Sequence, residues 1–180
     1  MLVLADTRLR PSSDADVALL GAMRNDVVLQ ETLLAMPRGS SESAVRAWLA
    51  RLEADAATLF LVVADRASDR ALGFVQLRNV ELTHRRGDLG LALVAEARGL
   101  GHGRAAITLL EGHAHDVFGL EKVLLQVLGA NLRAQRLYER LGYRKVGVME
   151  AHYYARGSFH DVVMMEKRLS VSFSQTSERR

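Results

Sequence analysis

From Gly87 to Val94, bulky leucines at Leu89, Leu91 and Leu93 alternate with Asp88, Gly90, Ala92 and Val94. A period of two with one bulky and one small face predicts a strand. After a glycine-rich turn, Ile107, Leu110, Ala114 and Val117 recur at three- and four-residue steps from about Gly103, the apolar stripe of a helix lying on a sheet. Upstream, Thr7 to Arg10 reads as a first strand stopped by Pro11, and Ser13 with Asp16 as a capping box for a helix carrying Val17, Leu20 and Met23 on one face. The pattern blurs between Met23 and Ser40, where Pro37 and Gly39 mark a turn and either a short helix or a mobile loop fits. From about Ser41, Val45, Trp48, Leu49, Leu52 and Ala56 restore helical spacing; Trp48 reads first as a core anchor and second as part of a substrate wall.

Two strands follow, Leu59 to Ala64 and Ala71 to Val80, joined by DRASDR, which is too short for a crossover helix. THRRG then leads into the strand from Gly87, so three strands form an antiparallel meander. Lys122 to Val127 comes back after a helix and must therefore run parallel to its predecessor, and such a pair can splay at one end. Asn131 suits the cap of a further helix, with Ala134, Leu137, Tyr138 and Leu141 on one face and Gly142 at its end. Tyr143 to Ala155 and Ser158 to Leu169 read as a long hairpin turning at Arg156 and Gly157, and VSFSQTSERR as a frayed tail.

With 180 residues and 49% hydrophobic content the chain can build one sizeable core but hardly two, and there is no internal repeat. A single domain over 1–170 with a disordered 171–180 tail is expected. The absence of cysteine excludes disulfides, thiolate metal sites and a cysteine nucleophile, and is compatible with a reducing cytoplasm. The apolar run before Asp6 is too short for a signal segment or a membrane span, so a soluble cytoplasmic protein without a membrane partner is expected. The net charge of +3 comes from scattered arginines in a chain with only 6% aromatics, which suits a polyanionic cofactor better than nucleic acid.

The turn between strand and helix carries the chemistry. Gly99, Gly101 and Gly103 leave backbone N–H groups open to an anion at the positive end of a helix, and Arg98 and Arg104 bracket them with permanent charge. Glycines also serve tight turns and close packing with no ligand. The dinucleotide fingerprint fails because Arg104 stands where its third glycine belongs, and no Walker sequence is present. What remains, R-x-x-G-x-G through Arg98, Gly101 and Gly103, resembles the acyl-coenzyme A pyrophosphate loop of the GNAT N-acetyltransferases. Asn131, Ala134, Tyr138, Gly142 and Tyr143 meet that family's N-x-x-A-x-x-x-Y-x-x-x-G-[YF] pattern, and Gly157 with Asp161 its closing G-x-x-x-D. The resemblance covers Leu59 to Leu169 and is nearest to the branch of the Rim-type ribosomal-protein and bacterial spermidine acetyltransferases. It implies an α/β (α+β) GNAT fold, a mixed and mostly antiparallel central sheet with one parallel splayed pair, flanked by helices. It also implies acetyl-coenzyme A as cosubstrate, no metal, and a homodimer through the closing hairpin.

Acetyl transfer to an amine needs a neutral nucleophile, a held oxyanion and a proton for the departing thiolate. Backbone groups of Leu91, Ala92 and Leu93 are candidates for the oxyanion and the pantetheine arm, since an extended arm can add to a splayed strand. The loop Arg98, Gly99, Leu100, Gly101, His102, Gly103 and Arg104 would hold the pyrophosphate, and Asn131 would bond the cofactor, cap its helix, or do both. Tyr138 is the candidate acid; without the motif it would read as a core tyrosine. Asp88 and Glu81 are the candidate bases, or charges that attract a cationic amine, or simple partners of Arg85 and Arg86. His113 and His115 face different ways on a helix, and His160 and Asp161 alternate on a strand, so neither pair makes a metal site or dyad; His84 and His152 read as surface histidines at the acceptor border. The acceptor is a small-molecule amine or a protein N-terminus. A polyamine would want an acidic cluster, yet Met23 to Ser40 holds only Asp26 and Glu31. The rival readings are a noncatalytic acyl-coenzyme A sensor, separable by a Tyr138→Phe exchange, and a nucleotide-binding module.

Overall fold

The computed structural model describes Leu2 to Pro37 and Gly39 to Leu169. The strands are β1 (Leu2–Leu4), β2 (Thr7–Arg10), β3 (Leu59–Asp65), β4 (Ala71–Glu81), β5 (Arg86–Leu93), β6 (Lys122–Leu128), β7 (Arg144–Ala155) and β8 (Ser158–Arg168). The helices are α1 (Val17–Asn25), α2 (Val27–Thr32), α3 (Glu42–Ala54), α4 (His102–Asp116) and α5 (Leu132–Arg140). Among the described residues all eight strands join one sheet in the order β1-β2-β3-β4-β5-β6-β8-β7, and only β5 and β6 pair in parallel. This is a mixed, mostly antiparallel sheet with helices on both faces.

Period-two alternation sends the two faces of β4 and β5 to different cores. Val75, Leu77, Leu89 and Leu93 pack with Ile107 and Leu110 of α4, whereas Phe74 and Ala92 pack with Val17, Leu20 and Val45 beneath α1 and α3. The Ser13 and Asp16 capping box forms, and Asp16 also receives both terminal nitrogens of Arg10 at 2.7 and 2.8 Å. Two expectations change. The apolar residues before Asp6 form β1, an outer strand on β2, because the turn at Ala5 lets Leu2 to Leu4 fold back onto Thr7 to Leu9. Helix α4 ends at Asp116, so Val117 is exposed and leaves the apolar stripe to its predecessors. The blurred segment after Met23 resolves into α2, whose N-terminus is capped by Asp26 accepting from Leu29 N at 3.0 Å.

The parallel pair is short. Arg86, Gly87 and Asp88 pair with Lys122, Val123 and Leu124; beyond these β5 continues to Leu93 and β6 to Leu128 with no further pairing between them. On the other side, the hairpin of β7 and β8 turns at Arg156 and Gly157 with φ of 49° and 78°, a two-residue turn of the left-handed kind that matches strand twist. Its tip crosses to α2 and the segment after it: Arg156 Nε donates to Glu31 Oε1 of α2 at 2.9 Å, and Tyr153 Oη to Ala35 O just beyond it at 3.1 Å. The expected frayed tail, 171–180, lies outside the described residues.

Candidate active site

A cleft of about 680 Å³ occupies the gap between β5 and β6. Gly90 and Leu91 of β5 form one wall and Leu124 to Val127 of β6 the other, with Asn131, Ala134 and Tyr138 of α5 along one side. Its opposite end runs beneath α1 to α3, past Arg24, Gln30, Trp48 and Phe74, to Gln76, Arg78 and Asp88 on the sheet. Trp48 thus serves both readings, packing edge-on against Phe60 at 5.2 Å while facing the cleft.

Strand chemistry decides which backbone groups face the gap. Val94 N donates to Leu72 O at 2.9 Å, which makes Leu72 and Val94 a hydrogen-bonded antiparallel pair. Counting along the register, Ala92 with Phe74 is again such a pair, whereas Leu91 and Leu93 turn their N–H and C=O toward β6. A Cβ on Gly73 would lie 2.0 Å from Ala92 O, consistent with that carbonyl facing β4. Ala92 is therefore removed from the backbone groups expected to meet a cofactor arm. Leu93 O is also engaged, by Arg98 Nε at 2.9 Å, leaving Leu91 and the Leu93 N–H toward the gap.

The glycine-rich loop lies at the end of this wall. Gly99 and Gly101 have φ of 91° and 92°, a left-handed backbone that side chains resist, and Gly101 caps α4. Ala105 N is the first amide to reach back, to Gly101 O at 3.0 Å, so the preceding amides of the first turn stay open. Gly103 lets α4 sit on the sheet, since a Cβ there would come 3.3 Å from Leu91 Cδ2. Leu100 and Arg104 are exposed. His102 is not: its ring is buried and its Nδ1 lies 2.8 Å from Thr7 Oγ1. Its side chain anchors the loop to β2, and only its backbone is left for a ligand. No motif marks Arg133 of α5, yet its Nη2 stands 3.2 Å from where a Gly99 Cβ would be, bringing another cation to the loop. Left-handed glycines with open amides beside three arginines form an anion cradle that a side chain at 99 would fill, and a pyrophosphate fits it.

Tyr138 is buried on α5 and lines the cleft. Burial pushes its phenol up to about 12. Behind it, Tyr143 packs edge-on at 5.7 Å, held up in pKa by burial and by Glu111, which pairs with Lys167 at 2.6 Å. Asn131 caps α5 through Oδ1, which accepts from Ala134 N at 3.2 Å, and also lines the cleft.

The two carboxylates separate. Asp88 lines the cleft and accepts from Asn79 Nδ2 at 2.8 Å. Glu81 does not line it, because the β4–β5 register sets Glu81 opposite Arg86, whose Nη2 reaches it at 2.6 Å. It belongs instead to a smaller depression of about 420 Å³ beyond Asp88. The space above Gly90 is partly filled by Gln76, whose Nε2 would be 2.9 Å from a Gly90 Cβ. Among the described residues no three of His, Asp and Glu gather as metal ligands, and no helix is long and apolar enough to cross a membrane.

The family described as "Acetyltransferase (GNAT) domain" matches residues 6–144, and the chain belongs to it. A spermidine N(1)-acetyltransferase of Vibrio cholerae is 26% identical over 103 residues, 57% of this chain and 60% of that protein. An N-alpha-acetyltransferase of Sulfurisphaera tokodaii is 33% identical over 86 residues, 47% of this chain and 51% of that protein. The match thus spans about half of these relatives' lengths. In three dimensions the fold is shared with spermidine N-acetyltransferase from Vibrio cholerae in complex with CoA and spermine, with a TM-score of 0.85, 22% identity, and coverage of 91% of this chain and 96% of the other.

Proposed function

We propose that this protein moves an acetyl group from acetyl-coenzyme A to a primary amine by direct attack within a ternary complex. The observation that carries the reading is the cleft between β5 and β6, which runs from Asn131, Ala134 and Tyr138 of α5 to the sheet face bearing Asp88. Bound acetyl-coenzyme A supplies the thioester. The amides at Gly99 to Arg104, with Arg98, Arg104 and Arg133, bind its pyrophosphate, and Leu91 and Leu93 orient the pantetheine arm. Tyr138, still protonated at neutral pH, holds the proton that a departing thiolate takes. Asp88, through a water or directly, draws in the amine and accepts its proton; Glu81, neutralised by Arg86, attracts at most from a distance. The acceptor is a small-molecule amine or a protein N-terminus. A one-domain chain acting in the cytoplasm, with a homodimer through the β7–β8 hairpin, completes the reading.

The test is thermal stabilisation of the purified protein by acetyl-coenzyme A beside NAD and ATP. At a hundredfold excess over Kd, a ligand that binds only the native state stabilises by about 2.7 kcal/mol, which raises Tm by roughly 5 to 10 °C for a chain of this size. A shift with acetyl-coenzyme A alone, followed by thiol release with amines, is the expected result. A shift with NAD instead would mean that the loop holds a different anion.

A further inference from the structure

At the acceptor end, β4 and β5 present a polar row on one face. Phe74, Gln76 and Arg78 stand opposite Ala92, Gly90 and Asp88, and directly opposed residues share a face. Among the described residues no hydrogen bond or ion pair holds the Gln76 amide or the Arg78 guanidinium, although both line the cleft. Gln76 is placed by shape, lying over the strand where Gly90 has no side chain. Arg78 feels Asp55, which does not line the cleft and already accepts from Thr58 Oγ1 at 2.7 Å and Ala57 N at 3.0 Å.

The charged side chains of the cleft wall are Arg24, Arg78 and Asp88. Arg24 lies 4.5 Å over the Trp48 ring and donates to Ser40. Glu31 of α2 is tied to Arg156. A polycation entering here meets the Arg78 guanidinium beside the Asp88 carboxylate. An amine that carries its own carboxylate meets the opposite arrangement, because Arg78 and Asp88 are cross-strand neighbours offering one positive and one negative partner side by side. Trp48 and Phe74, edge-on at 6.3 Å, supply an apolar wall beside them.

We propose that the acceptor is a small zwitterionic amine of the apolar amino-acid type, its carboxylate read by the planar fork of Arg78 with Gln76, its ammonium drawn to Asp88 and its body laid on Trp48 and Phe74. This rests on the acetyl-transfer reading above and narrows its acceptor.

The experiment compares thiol release from acetyl-coenzyme A with phenylalanine, leucine and methionine, each beside its carboxamide, and with spermidine and a neutral tripeptide amide. The amino acids are expected to exceed their amides and spermidine in kcat/KM by about tenfold, the scale of one solvent-accessible charge-assisted contact. In Arg78→Gln the ratio of acid to amide should fall to near unity, and Arg78→Lys should recover part of it; acetyl-coenzyme A should still stabilise both variants, which shows that they fold. Equal loss for acid and amide, or turnover confined to spermidine, the amides or the tripeptide, overturns the proposal while leaving acetyl transfer intact. No stabilisation by acetyl-coenzyme A and no release with any acceptor overturns both.

Discussion

Tyr138 keeps its proton because α5 buries its ring and Tyr143 closes the space behind it, so the anionic form would be stripped of water. A donor held at about 12 stays protonated across the whole working range. The proposed acid therefore predicts a kcat that does not decline between pH 8 and 10, where an ordinary phenol near 10 would already be losing its proton. Because the folded-state value is raised, the associated stability is complete below the unfolded value near 10 and is lost as pH climbs toward 12, which alkaline melting curves can follow. Tyr138→Phe should lower kcat by about 10² to 10³ with the acetyl-coenzyme A affinity unchanged, measured by single-turnover kinetics beside ligand titration. An unchanged kcat would return Tyr138 to the core. At this scale the motif singled out Tyr138 and Asn131, and both line the cleft. Nothing local marked Gln76 or Arg133, since the place of each is defined by a glycine on another element, Gly90 and Gly99, that leaves space for it.

Helix α4 begins where it does because Gly101 adopts φ of 92° and Gly99 φ of 91°. Gly101→Ala forces a left-handed alanine at a cost of about 1 to 2 kcal/mol. It should lower Tm by several degrees and weaken acetyl-coenzyme A binding, both visible in one ligand-dependent melting series; an unaltered dissociation constant would detach the loop from the cofactor. Asn131 separates two roles in the same way. Asn131→Ala removes the cap of α5, worth about 1 kcal/mol, whereas Asn131→Ser keeps a capping oxygen and loses the amide. Normal stability with weaker acetyl-coenzyme A binding in the serine variant would show that the amide meets the ligand; normal binding would leave only the cap. The elements themselves were nearly all readable from periodicity and punctuation. The exceptions were β1, too short to show alternation, and α2, a six-residue helix stabilised by Asp26 and by contacts from a hairpin far along the chain.

Over the whole molecule, the hairpin tip and α2 meet across the acceptor end through Tyr153 with Ala35 and Arg156 with Glu31. Tyr153→Phe should raise the acceptor KM a few-fold and leave acetyl-coenzyme A binding alone, because the two ends of the cleft rest on different elements. A changed cofactor affinity would mean that the hairpin supports the whole cleft. The sequence by itself determined the order of strands and helices, the parallel return of β6, the glycine loop and the position of Tyr138 on its helix, since each follows from local periodicity, turn chemistry or the length of a connection. Only the tertiary structure decided how the pieces face one another. It turned Ala92 toward β4, set Glu81 against Arg86, buried His102 on Thr7 and left Arg78 beside Asp88 in the cleft. Those outcomes depend on strand register and on contacts between distant residues, which a side chain's identity does not contain.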